Sequence, residues 1–182
     1  MRPLLFVLAA VSMIGCLPSR RSSVPAPASI PAVSGRVVTP YAMRHIDVRV
    51  GTGEAMAPKR CVYAHYTGWL TDGTKFDSSR DTMPNGQPRE PIAFPQGARR
   101  VIAGWDAGFE GMHVGGQRRL FIPYQIAYGE PGRPPVIPAK AMLIFDIELL
   151  ALADTLPTAP RDGARPAPAG PQCPAWKAVS AR

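Results

Sequence analysis

The sequence predicts an α+β domain made mostly of antiparallel strands, and three observations predict it. Short runs of alternating polar and apolar residues recur from residue 45 to residue 122, the period-two pattern of strands with one buried face. Only one stretch has a helical period, with Ile102, Trp105 and Phe109 at i, i+3 and i+7. Between two strand-like runs sits Asp72-Gly73, a pair that tolerates the positive φ of a tight hairpin turn. The 182 residues include 22 prolines. These crowd between residues 17 and 40 and again after residue 156, which leaves a core of about 110 residues, large enough to fold on its own burial.

In chain order, Arg2 and the apolar stretch from Pro3 to Ile14 form a signal peptide over residues 1–15. The apolar stretch is shorter than the ~20 residues of a membrane-spanning helix. Met13-Ile14-Gly15-Cys16 resembles the bacterial lipobox, in which the cysteine becomes a lipidated first residue. Plain signal-peptidase cleavage wants small residues at both −3 and −1, which Met13 and Ile14 fit poorly. Lipid on Cys16 is therefore the expected anchor, tying the chain to a membrane without spanning it. Residues 16–40 read as the lipidated N-terminus and a Pro/Ala/Ser tether.

His45 to Val50 alternates strictly and Gly51-Thr52-Gly53 turns it. Val62 to Leu70 is rich in aromatic and β-branched residues, and Lys75-Phe76-Asp77 pairs back onto it through the Asp72-Gly73 turn. Residues 78–89 are a loop. Ile92 and Phe94 form a short strand leading into the Trp105 helix, and Gln117 to Ile122 alternates with Arg118, Leu120 and Ile122 on one face. Ala141 to Leu150 is nearly all apolar and so is expected at the centre of the sheet. The domain spans 41–153, and the Pro/Ala-rich tail over 154–182 is expected to be disordered.

The formal charge of +8 does not imply nucleic acid, because the arginines are scattered, with no basic run longer than two or three residues and no interleaved aromatics. After Cys16, two cysteines remain, Cys61 and Cys173, and their spacing leaves open whether they pair. There is no nucleophile elbow, P-loop or His-Glu-x-x-His motif, and His45, His65 and His113 are too far apart to form a local ligand pair, so no cofactor or metal is expected. What the chain does carry is a set of aromatics at strand ends and beside loops: Tyr66, Phe76, Trp105, Tyr128 and Phe145. That inventory describes an apolar pocket with a polar rim.

His65-Tyr66-Thr67-Gly68, Lys75-Phe76-Asp77-Ser78-Ser79, Val101-Ile102-Ala103-Gly104-Trp105, Ala127-Tyr128-Gly129, Val136-Ile137-Pro138 and Phe145 to Leu150 stand in an order and spacing that resembles the FKBP-type peptidyl-prolyl cis-trans isomerases. The resemblance runs from Arg44 to Leu150, with a longer loop before Pro91. It implies an antiparallel sheet wrapped around one short helix and a proline-binding pocket between them. It implies Trp105 as the floor, Tyr66, Phe76, Ile92, Val101, Val136, Ile137 and Phe145 as substrate-binding walls, and Ile102, Tyr128 and Asp77 as the catalytic groups. The Ile102 N–H and the Tyr128 hydroxyl would meet carbonyls of the peptide. Three positions depart from the common pattern: Ile92 in place of an aromatic, Thr82 in place of an arginine that pairs with the aspartate, and Arg133 in place of a histidine.

The implied activity is acceleration of X–Pro isomerisation during folding of bacterial cell-envelope proteins, in the periplasm. The implied partners are proline-containing polypeptides and a macrolide of the tacrolimus type. The alternative is a non-catalytic module or chaperone, on the same tethered lipoprotein, that binds proline peptides or a ligand. Rotation about a peptide bond has a barrier of ~18–20 kcal/mol, because the twisted form loses resonance, so a dry pocket that favours the twisted form needs no covalent step.

Overall fold

The computed structural model describes residues 27–33, 35, 37–38, 43–156 and 170–180. The expected signal peptide over residues 1–15 and Cys16 lie outside the described residues. The strands are β1 (Val37–Val38), β2 (Arg44–Arg49), β3 (Cys61–Leu70), β4 (Lys75–Ser78), β5 (Ile92–Pro95), β6 (Gln117–Ile122) and β7 (Leu143–Ala153). Among the described residues, two short helices, α1 (Ala103–Gly108) and α2 (Trp176–Ser180), complete the set with one 3-10 turn at Tyr124–Ile126.

The described strands form one antiparallel sheet in the order β1-β2-β6-β7-β3-β4, with β5 also on β3. The nearly continuous apolar run of β7 lies between β6 and β3, as its composition predicts. The β3–β4 hairpin closes where expected. Leu70 N–H donates to the Thr74 carbonyl at 2.9 Å, and the Asp72 carboxylate accepts from Thr74 N–H at 2.8 Å.

The inner face of the sheet curves around α1. The helix lies almost flat on β6, since a Cβ added at Gly108 would lie 2.5 Å from a Leu120 methyl. Trp105 and Phe109 project into the main core with Phe94, Leu120, Leu143, Phe145, Ile147 and Leu149. Arg118 holds the far end of the helix. Its Nη1 donates to the carbonyls of Gly108 and Glu110 at 2.8 and 2.9 Å, while its Nε pairs with Asp47 at 2.6 Å. A cation at a helix C-terminus satisfies the carbonyls left without intrahelical partners.

Three expectations change. The first concerns the outer face of the sheet, which is covered by the described residues between 27 and 38. Ile30 packs on Ile46, Trp69, Phe121 and Ile144 with Val33 beside it, and β1 pairs with β2. Arg119 is almost fully buried there. It grips Asp146 through Nε and Nη2 at 2.5 and 2.7 Å and donates to the Pro31 carbonyl at 2.6 Å. Residues 27–38 therefore belong to the domain where they are described, and β6 is buried on both faces rather than one.

The second change is in β2, where only Ile46 of the alternating apolar set is sealed. Val48 and Val50 are exposed because the register shifts between Asp47 and Arg49.

The third change is at the far end of the chain. Residues 170–180 are packed on the domain rather than disordered. Cys173 is disulfide-bonded to Cys61 on β3, Leu156 bridges Gln172, the Tyr63 hydroxyl donates to the Pro174 carbonyl at 2.6 Å, and the Tyr63 and Trp176 rings lie 5.6 Å apart. No helix among the described residues is long and apolar enough to cross a membrane.

Candidate active site

Between α1, the β3–β4 hairpin and the loop after β6 lies a cavity of about 230 Å³. Its floor is Trp105, 4% exposed, in the first turn of α1. Helical periodicity stacks Ile102, Trp105 and Phe109 as expected, with Ile102 as the N-cap and Phe109 as the C-cap. Two of the cavity's rings pack directly on the indole and a third packs on one of them. Tyr66 meets the indole edge-on at 5.0 Å, Phe145 at 5.2 Å, and Phe76 meets Phe145 at 5.4 Å. Such edge-to-face pairs set the negative face of one ring against the positive edge of another. The Trp105 Nε1 has no hydrogen-bond partner among the described residues.

These walls require Gly68. It faces Phe145 across the β3–β7 ladder, and a Cβ there would sit 2.6 Å from Phe76 and 2.7 Å from Phe145. Only a residue without a side chain lets both rings close over the strand.

The polar rim is asymmetric. On the hairpin side, Asp77 Oδ2 accepts from the Tyr66 hydroxyl at 2.6 Å and Oδ1 accepts from Arg89 at 3.0 Å. Burial first, and the bond to Asp77 second, push the Tyr66 phenol well above its ordinary range, so it remains a donor. The serines after Asp77 build the corner. The Ser78 and Thr67 hydroxyls bond at 2.8 Å, and the Ser79 hydroxyl accepts from Tyr66 N–H at 2.9 Å and meets His65 Nδ1 at 2.9 Å. Burial first, and Arg80 second, lower the His65 pKa despite the opposing pull of Glu148.

On the other side, Tyr128 lines the cavity with Arg133 stacked over its ring at 5.8 Å. The Tyr128 hydroxyl makes no hydrogen bond among the described residues. Ile102 N–H donates to no backbone carbonyl among them, as befits a cap position with ψ of 147°. No group of three or more His, Cys, Asp or Glu side chains among the described residues is placed to hold a metal ion.

Comparison with known proteins adds a family to this geometry. The model of the FKBP-type peptidyl-prolyl cis-trans isomerase family matches residues 52–150, more than half of the chain. The chain belongs to that family. It is a peptidyl-prolyl cis-trans isomerase with an FKBP fold.

Relatives agree. The chain is 46% identical over 104 residues to the FK506-binding protein of Neisseria meningitidis serogroup B, covering 57% of this chain and 90% of that one. It is 45% identical over 117 residues to the FKBP-type peptidyl-prolyl cis-trans isomerase FkpA of Aeromonas hydrophila, covering 64% of this chain and 40% of that one. The crystal structure of FkpA from Escherichia coli superposes with a TM-score of 0.56 at 35% identity, over 65% of this chain and 52% of that one.

Nine of the residues expected at an FKBP-type site line the cavity together: Tyr66, Phe76, Asp77, Ile92, Val101, Ile102, Trp105, Tyr128 and Phe145. Val136 and Ile137 do not. The loop doubles back through paired backbone bonds between Arg133 and Ile137 at 2.8 and 3.0 Å, which sinks Ile137 into the core and leaves Val136 52% exposed. The same turn brings Arg133 to the wall instead. Sequence reading missed Arg89, which supplies the partner for Asp77 that Thr82 does not. Arg89 lies twelve residues further on, across a loop, and no local pattern announces it. It also missed Arg100 as a wall residue.

Proposed function

We propose that the chain isomerises X–Pro bonds in proteins folding in the bacterial cell envelope, held on the periplasmic side of a membrane by lipid on Cys16. The observation that carries the catalytic reading is the cavity itself, an aromatic well too small for most ligands and suited to a single proline ring. Ligand pockets for drug-sized molecules are about 300–1,000 Å³.

In this reading the proline ring sits on Trp105, between Phe76, Phe145, Tyr66, Ile92 and Val101. The planar amide of the ground state is resonance-stabilised and hydrated. The twisted form has a pyramidal nitrogen and a less conjugated carbonyl, and loses less on entering a dry apolar well. Differential binding of this kind lowers the barrier, and a millionfold rate effect needs about 8 kcal/mol of it. Two donors without a partner among the described residues, the Ile102 N–H and the Tyr128 hydroxyl, hold the carbonyls of the peptide on either side of the rotating bond. Asp77, fixed by Tyr66 and Arg89, places negative charge beside the carbonyl carbon as conjugation is lost. A macrolide of the tacrolimus type would seat one ring in the same well and block it.

The anchor rests on the lipobox-like residues 13–16 and on the apolar leader before them. Replacing Cys16 with serine should move the protein from the membrane fraction to the soluble fraction of the producing cell.

The decisive test of the chemistry is cis-to-trans exchange of a short Leu-Pro peptide measured by exchange NMR, with and without the purified chain. Uncatalysed exchange takes tens of seconds. Acceleration that tacrolimus abolishes is the expected result. Binding of the peptide without acceleration would overturn the catalytic reading in favour of a binding module.

A further inference from the structure

On the Tyr128 side the cavity opens into a groove of about 580 Å³, and the two share Arg100, Val101, Ile102, Tyr128 and Arg133. The charged groups facing this groove are Arg99, Arg100, Arg133 and one carboxylate, Asp106. Asp106 Oδ1 is engaged by the Gly97 N–H at 2.9 Å. Arg99 and Arg133 are exposed and form no ion pair among the described residues, and the Arg133 guanidinium lies over the Tyr128 ring. Two guanidinium groups without an ion pair among the described residues, those of Arg99 and Arg133, therefore border the route by which chain flanking a bound proline leaves the cavity.

We propose that this groove is a specificity subsite that selects polypeptides carrying an aspartate or glutamate close to the isomerised proline. Guanidinium groups present planar paired donors that match a carboxylate, and they are less strongly hydrated than ammonium groups. The groove is continuous with the well, so a carboxylate there and a proline ring on Trp105 belong to one short segment of substrate. This rests on the proline-binding reading of the adjoining cavity. The hairpin side offers no equivalent, because Arg89 is already paired with Asp77.

The test compares three Leu-Pro peptides that differ only in the residues next to the Leu-Pro pair, as alanine, glutamate or lysine. Each is followed by exchange NMR for kcat/KM and by tryptophan fluorescence for affinity. At about 10 mM salt the glutamate peptide is expected to exceed the lysine peptide about fivefold in both readouts, and at about 0.5 M salt the gap should close. The double substitution Arg99→Gln with Arg133→Gln should bring the glutamate-to-lysine ratio close to one.

A ratio near one in the unmodified protein at low salt overturns the subsite. So does a ratio that survives either high salt or the double substitution. The unmodified protein with the salt series decides the matter even if the double variant does not fold. If no peptide is accelerated, the isomerase chemistry fails on its own account, and the fluorescence titrations still decide the charge preference. If all three are accelerated equally, only the subsite falls.

Discussion

The two shoulders of the cavity differ in how their charges are used. On the hairpin shoulder, Asp77 is closed off by Tyr66 at 2.6 Å and Arg89 at 3.0 Å. On the helix shoulder, Arg99 and Arg133 have no carboxylate partner among the described residues, and the Tyr128 hydroxyl has no acceptor. Charges satisfied within the domain build a wall, whereas unsatisfied ones at a cavity mouth are left to meet a ligand. The floor beneath both is the same Trp105.

Removing the floor should therefore undo both shoulders at once, and it is the largest effect expected. Trp105→Leu should lower kcat/KM roughly a hundredfold, about 2.7 kcal/mol of transition-state binding. It should also cost about 3 kcal/mol of stability in urea unfolding, through lost packing against Tyr66, Phe94, Phe109 and Phe145. Tyr128→Phe removes one donor and leaves the shape, so its loss should be roughly tenfold or less. Equal activities for Trp105→Leu and the unmodified chain would remove the well from the mechanism.

The closed shoulder is probed by comparing its two polar partners. Asp77→Asn removes the charge while an acceptor for the Tyr66 hydroxyl remains, and should lower kcat more than it raises KM. Arg89→Gln breaks an ion pair that is about half exposed on both sides, so its cost in stability should stay within about 1 kcal/mol. If Arg89→Gln matched Asp77→Asn in activity, the ion pair rather than the carboxylate would be the working unit of that shoulder.

The smallest effect is on acid stability. Burial lowers the pKa of both His45 and His65 below 6.5 in the folded chain, with Arg118 adding to the shift at His45. The unfolded chain then takes up protons first as pH falls through about 6.5, so folding weakens from there downward until the folded pKa is passed. Urea midpoints should drop between about pH 7.5 and about pH 5.5, and His65→Gln should shrink that drop if the corner beside Ser79 contributes to it. A midpoint independent of pH across this range would show that neither imidazole is held neutral by the fold.

Much of this architecture could be read locally. The strands β2 to β7, the Asp72-Gly73 hairpin and the two-turn helix around Trp105 follow from periodicity and turn chemistry, which depend on neighbours a few residues apart. Nine of the eleven wall and catalytic residues also fell together, because the motifs that name them sit at strand ends that the sheet order brings side by side. Val136 and Ile137 stand outside the cavity lining because one tight turn at Arg133 sinks Ile137 into the core and leaves Val136 exposed. Arg89 and Arg118 were missed as structural partners because each acts across a loop or between elements, on atoms distant in sequence.

Composition misjudged the ends for a related reason. Proline-rich segments look unable to pack when read alone, yet Ile30 finds an apolar patch on the outer sheet face, and Cys173 finds Cys61 across 112 residues. Local pattern was enough to name the strands, the short helix and the aromatic set. Only the folded chain decided which face each strand buries, which arginines are spent on internal carboxylates and which are left at the cavity mouth. Burial and charge pairing depend on contacts between distant segments, and those contacts exist only once the sheet has closed around the helix.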